Sequence, residues 1–266
     1  MSVKIIYQNS TFAQLPFLIE DTKQALAVDA LDFIFNSLHE NTERLEAKII
    51  LLSKAEGDGT RNQSTVRTTI ADVWSMIDNA FRATELLKHL DYPFDATDLN
   101  FIKEIKAIRN SYQHLNDRIK EHFIDNGGSV FGELTWFHRS LRHEGLWHSV
   151  LMSGVIVKRV DGGFENTFTI GGDSGDDGIP GVFRVRLLYV IKLNGPNTKT
   201  VTLKTVTELD TIAAFVNKVI ARLEHNANLV IDGLKKEQAE NPDSTIGAGL
   251  PPAILHFPVA SSSNAL

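Results

Sequence analysis

The sequence predicts an α+β protein, a four-helix up-down bundle carrying an inserted antiparallel β-rich segment. Two observations predict it. Four segments space their apolar residues three and four apart, the period of one helix face. Between the third and fourth, the pattern changes to short β-branched and aromatic runs separated by turn residues.

The first helix has Leu31, Ile34, Leu38, Leu45, Ile49 and Leu52 on one stripe, and Gly57-Asp58-Gly59 closes it. The second runs from about Ser64 to Leu90 on Val66, Ile70, Val73, Ile77, Ala80 and Leu87. Tyr92-Pro93 stops it, because proline has no N–H to continue the backbone ladder. The third begins near Asp95, with Asp95 and Thr97 as candidate caps. Its stripe is Phe101, Ile105, Ile108, Tyr112, Leu115 and Ile119, and Asn126-Gly127-Gly128 ends it. The fourth has Leu209, Ile212, Val216, Val219, Leu223 and Val230.

Phe131 to Trp136, Val150 to Val160, Phe164 to Ile170, Val182 to Leu193 and Thr200 to Thr207 read as strands. Gly162-Gly163, Gly171 to Gly181 and Asn194-Gly195-Pro196-Asn197 mark the turns between them. The chain therefore divides into residues 1–127 with three bundle helices, 128–208 as the β-rich insertion, 209–237 as the fourth helix, and 238–266 as an extended tail.

Composition narrows the function classes. There is no cysteine, which excludes a disulfide framework, a thiolate metal site and a cysteine nucleophile. No run approaches the ~18 apolar residues of a membrane span, and Met1 to Glu20 lacks the basic and apolar blocks of a signal peptide. The expectation is a cytoplasmic protein with no membrane contact. A formal net charge of -6 argues against coating nucleic acid broadly, and leaves room for a local basic site.

The chemically pointed run is Arg109-Asn110-Ser111-Tyr112-Gln113-His114 on the third helix. At about 100° per residue, Asn110 and His114 fall nearly opposite the apolar stripe, with Lys103, Asp117 and Glu121. Arg109 lies between that polar side and the stripe. The spacing thus places His114 away from the core.

An Arg, an Asn, three further residues and a His on a bundle helix resembles the signature of the HEPN family, the higher eukaryotes and prokaryotes nucleotide-binding domains. The resemblance covers the motif and its helical setting, and the β-rich stretch departs from the compact domain of that family. It implies a metal-independent endoribonuclease of toxin or defence type, acting on RNA as a homodimer, without a cofactor, with a regulatory protein as a further partner. Under it His114 is the general acid/base, since imidazole titrates near neutrality. Arg109 forks onto phosphate oxygens, and Asn110 orients. Two other readings stay open: a non-catalytic dimerisation and binding module whose β-rich segment contacts a partner, and an ordinary solvated helix face.

Trp136 to Trp147-His148 is the densest basic and aromatic patch. His138, Arg139, Arg142 and His143 are candidate substrate-binding residues, able to grip a single strand by stacking and phosphate contact. The competing role is a connector whose aromatics anchor the β-rich part. His138, His143 and His148 are five apart, a spacing that puts them on one face of neither helix nor strand, so no metal site is expected. Gly172 to Gly178 lacks the spacing of an EF-hand loop and reads as a turn. Neither GxxxxGK[ST] nor GxGxxG occurs, so nucleotide hydrolysis and dinucleotide binding have no support.

Overall fold

The structure is a computed structural model that describes residues 4–54, 63–123, 129–139, 146–153, 159–160, 163–164, 182–194 and 200–240. The turns at Gly57 to Gly59, Asn126 to Gly128 and Gly172 to Gly178, and the tail beyond Glu240, lie outside those residues. Within them the protein is α+β, with five α-helices and a four-stranded antiparallel sheet.

Helix α1 (Thr22–Lys54) starts after Asp21, whose carboxylate accepts from the Gln24 N–H at 3.0 Å. That satisfies one of the donors a helix start leaves open. Its three-four stripe buries Leu31, Ile34, Leu38, Leu45 and Ile49, as spaced. Helix α2 (Gln63–Leu87) packs against it antiparallel, because Asn41 bonds Ser75 while Lys48, further along α1, reaches back to Asp72. Helix α3 (Ala96–Gln113) begins on a capping box in which Asp95 accepts from Asp98 N–H at 2.8 Å and Asp98 from Asp95 N–H. Lys218 of α5 (Leu209–Glu240) bonds both carboxylates, at 3.0 and 2.7 Å, tying the start of α3 to the last helix.

Two helix ends differ from the periodicity. The fourth predicted helix continues to Glu240, three residues into the expected tail. The third stops at Gln113, and His114 takes φ -100°, ψ 35° before a four-residue helix α4 (Leu115–Arg118) and a π-helical turn at Ile119–Phe123. Residues 109–118 contain neither glycine nor proline, so no local stop signal announced this break.

The N-terminal segment is part of the core. Ile5, Tyr7 and Phe12 are buried. The segment is held on one side by α1, through Ile5 N–H to Thr42 and the Tyr7 hydroxyl to Asp32. On the other side α5 holds it, through Asn217 to Lys4 and Glu224 to Ser10, Thr11 and Phe12.

The strands are β1 (Glu133–Arg139), β2 (Leu146–Met152), β3 (Arg159–Val160), β4 (Gly163–Phe164), β5 (Val182–Asn194) and β6 (Thr200–Glu208). The main sheet has the order β2-β1-β5-β6, and β3 with β4 forms a separate small ladder. Side chains alternate across the sheet. Leu151, Leu134, Leu187 and Thr207 form one cross-strand row, of which the three leucines join the helical core and Thr207 donates to Glu104 of α3. The neighbouring row pairs Arg186 with Glu208 at 2.9 Å. The helices thus cover one sheet face. Strand β1 starts later than expected and runs through His138 and Arg139, with a register shift between Thr135 and Phe137. Residues 154–158 and 165–170, also expected as strand, lie outside the described residues.

Gly132, at the entry to β1, has φ +87°, and a Cβ there would sit 2.8 Å from the Leu188 carbonyl oxygen and 3.0 Å from Leu187 Cδ1. Gly132→Ala is expected to lower stability by roughly 1–3 kcal/mol, read as a lower urea midpoint at unchanged slope. An unchanged midpoint would mean that this backbone turn is not held as described.

Candidate functional site at the end of α3

The run from Arg109 to His114 forms the last turn and cap of α3, and its side chains diverge. Ser111 is buried and donates to the carbonyl oxygen of Val190 on β5, fixing one flank of the helix to the sheet. Arg109, on another flank, faces α2. Its Nε donates to Asp78 at 2.7 Å, and its guanidinium lies 4.8 Å from the Phe81 ring centroid. Asn110 is half-buried, and its carbonyl accepts the His114 backbone N–H at 3.0 Å. His114 has 60% of its side chain exposed, with Nδ1 3.8 Å from Asp117.

The expected polar face therefore exists for Asn110 and His114, while Arg109 belongs to a cross-helix cluster. Asp78 also accepts from Arg82, one turn along α2, at 2.7 Å. One carboxylate thus bridges two guanidiniums, leaving the cluster with a net charge of about +1. Burial pushes the Asp78 carboxyl up, but the hydrogen bonds and charges of Arg109 and Arg82 outweigh it and hold its pKa below the ordinary value.

Next to this cluster, Tyr112 stacks on Trp74 of α2, with centroids 4.6 Å apart and planes 15° apart. The spacing places Tyr112 on the apolar stripe, yet it is 42% exposed. It lies on the last turn, where the stripe runs past the end of the core. Phe131 is also exposed and approaches the Tyr112 ring at 6.3 Å, while its carbonyl accepts from Trp74 Nε1 at 2.9 Å.

The second candidate group is dispersed. His138 is 3% exposed within β1, with Nε2 2.9 Å from the Ser149 hydroxyl of β2, so its ring is packed within the sheet rather than presented to a ligand. Arg139 closes β1, and Arg142 and His143 lie outside the described residues. His148 stacks on its cross-strand partner Phe137 at 4.5 Å. Burial, and then the charge of Arg186, lower its pKa. Of the aromatics here, Phe137 and His148 stack strand to strand, while Trp136 Nε1 donates to Ser53 of α1 at 2.8 Å. Among the described residues no group of three His, Asp or Glu side chains is placed to hold a metal ion, and no helix is long and apolar enough to cross a membrane.

Sequence reasoning missed Asp78, Arg82 and Trp74 as neighbours of the motif. Asp78 and Arg82 were visible as an i,i+4 pair, but their register against Arg109 depends on how α2 and α3 dock. Comparison with family models, curated proteins and solved structures finds no match for the chain.

The Asp78 cluster sets a pH dependence. A carboxyl whose folded pKa is depressed contributes stability above its unfolded pKa of about 4, and that contribution is lost as pH falls through the folded value. Asp78→Asn is therefore expected to be less stable than wild type at neutral pH, with the gap shrinking on acidification below about pH 4. Urea midpoints at both ends of that range check it, and a gap of constant size would remove the cluster from the acid response.

Proposed function

We propose that the chain is a HEPN-like, RNA-directed module that binds through the end of α3 without cutting. The observation that carries this reading is the engagement of Arg109 by Asp78, with its guanidinium over Phe81. An arginine in a cutting site has to follow the phosphate as it becomes the strained phosphorane; here Asp78 and Phe81 hold the plane of the guanidinium, which suits a resting phosphate better than a moving one. Four long helices, α1, α2, α3 and α5, are compatible with a bundle setting. Successive helices run antiparallel: Trp74 meets Tyr112 while Asp78 meets Arg109, and Phe101 meets Phe215 while Asp98 meets Lys218. A homodimer that brings two α3 ends together would double the binding surface, and a protein partner on the β-rich segment would regulate it.

The second reading, a metal-independent endoribonuclease, is favoured by one observation: His114 is exposed beside Asp117, one turn from Asn110. In that chemistry His114 takes the proton of a ribose 2′-hydroxyl as its oxygen attacks phosphorus. The bond to the 5′-oxygen breaks, and a second proton donor, the facing His114 of a dimer, protonates the leaving oxygen. The products are a 2′,3′-cyclic phosphate and a 5′-hydroxyl.

Incubating the protein with a pool of structured RNAs in EDTA separates the two. The binding reading expects retarded, intact RNA with wild type and with His114→Ala alike. Cyclic-phosphate ends that appear with wild type and vanish with His114→Ala would replace it with the nuclease reading. Absence of both binding and cutting by folded protein would sink the RNA assignment.

A further inference from the structure

We propose that the Tyr112–Trp74 stack and the Arg82–Asp78–Arg109 cluster together form a nucleotide-sized site for single-stranded RNA, with a base on Tyr112 and the adjoining phosphate between the two guanidiniums. This inference rests on the RNA-directed reading above and names the groups that do the recognising.

The two parts are neighbours by two independent routes. On α2, Trp74 and Asp78 are four residues apart, about 6 Å along the axis and on the same side of the helix. On α3, Tyr112 and Arg109 are three apart, again on one side. Because the helices run antiparallel, both routes put the charged cluster one turn from the aromatic stack. A base and its phosphate are separated by a comparable distance, so one nucleotide spans both.

The stack has the form of a base platform. Trp74 is almost wholly buried and anchored through Nε1 to the Phe131 carbonyl, so it supports one face of the Tyr112 ring as a rigid base. Tyr112 keeps 42% of its surface in solvent, and Phe131 flanks it, also exposed. A half-exposed aromatic backed by another aromatic gains by accepting a further flat ring, whichever base supplies it.

The charged part presents two guanidiniums held on one carboxylate. Arg82 and Arg109 each donate to Asp78 from Nε at 2.7 Å, one to each carboxylate oxygen. Asp78 thereby fixes both planes, and the Nη donors keep their capacity for a phosphate. Arg82 is 60% exposed, so a ligand meets it without desolvating the cluster. The carboxylate also competes with that phosphate, which makes Asp78 a brake on affinity as well as a scaffold. A purely structural cluster would leave binding indifferent to all three residues.

The test is anisotropy of fluorescently labelled 2′-O-methyl oligouridylate and oligoadenylate, which no 2′-hydroxyl attack can cut, with duplex RNA of the same length as control. Wild type is expected to bind both single strands and to prefer them to the duplex. Tyr112→Leu is expected to weaken binding by about tenfold, the loss of one stacked base, and Tyr112→Phe to keep it within about twofold. Arg82→Gln is expected to lower affinity and reduce the salt slope by about one phosphate contact. Asp78→Asn, which removes the competing carboxylate, is expected to tighten binding. Single-strand binding by wild type that is unchanged in both Tyr112→Leu and Arg82→Gln, with circular dichroism confirming folded variants, would overturn this site and leave the RNA reading standing. Preference for the duplex would also overturn it, since a stacked helix offers no free base face. Failure of wild type to bind any of the three RNAs would remove the RNA reading itself, and the site with it.

Discussion

The rotation of α3 about its own axis is the constraint on which the candidate site depends. Ile105 and Ile108 are fully buried, and Ser111 is bonded to the Val190 carbonyl of β5. A helix carries its residues about 100° apart, so fixing those three fixes the direction of every other. Arg109 is delivered to α2, Tyr112 to the rim where Trp74 waits, and His114 to solvent. A hydroxyl at position 111 matters more than its size suggests. Without it the β5 carbonyl it engages would be buried with one fewer donor, and the contact that sets the helix angle would be lost. The chemistry of the α3 end is therefore specified partly by a sheet many residues later in the chain.

Other parts of the fold reinforce that arrangement from a distance. The start of α3 is pinned by its own capping box and by Lys218, which bonds Asp95 and Asp98. Asp95 and Lys218 are half-exposed and partly screened by water, so the Lys218–Asp95 contact orients α3 against α5 more than it stabilises the whole. The N-terminal segment does a comparable service between α1 and α5, where Glu224 accepts from the backbone of Thr11 and Phe12. Buried Ile5, Tyr7 and Phe12 then fill space that the helices alone leave open.

How much of this the sequence disclosed follows from the range of each interaction. The stripes at Leu31 to Ile49 and Leu209 to Leu223 are local and repeat every turn, so they were legible and they are buried. Val182 to Leu193 and Thr200 to Thr207 match β5 and β6 within a residue, because Gly195-Pro196 brackets them and β-branched residues fill them. Strand β1 was half legible: Trp136-Phe137-His138-Arg139 lacks clean alternation, and a register shift inside it breaks the period that would have revealed it. The break at His114 has no glycine or proline to mark it. In the candidate site, Arg109, Asn110 and His114 were visible as a motif, and the exposure of His114 as a face angle. Their partners were not, because the distance from Arg109 to Asp78 is a property of helix docking and 31 residues of separation, to which helical periodicity is blind.

Electrostatics and stacking divide the work in the proposed site in a particular way. The chain carries a net charge of -6, which opposes long-range steering of a polyanion. At physiological ionic strength, however, charges beyond a Debye length of about 8 Å are largely screened. A phosphate at the α3 end senses chiefly Arg82, Arg109 and Asp78, a cluster of about +1. One phosphate contact releases few counterions, so the charged cluster on its own gives weak and salt-sensitive binding. Stacking on Tyr112 is insensitive to salt and indifferent to base identity. An acidic protein that recognises single strands through one aromatic platform and one restrained guanidinium pair would therefore discriminate by strandedness and geometry rather than by sequence. It would also resist the non-specific adhesion to nucleic acid that a basic surface invites. Asp78 serves both ends of that balance: it holds the two arginines in place and cancels half of their charge until a phosphate arrives in the right position.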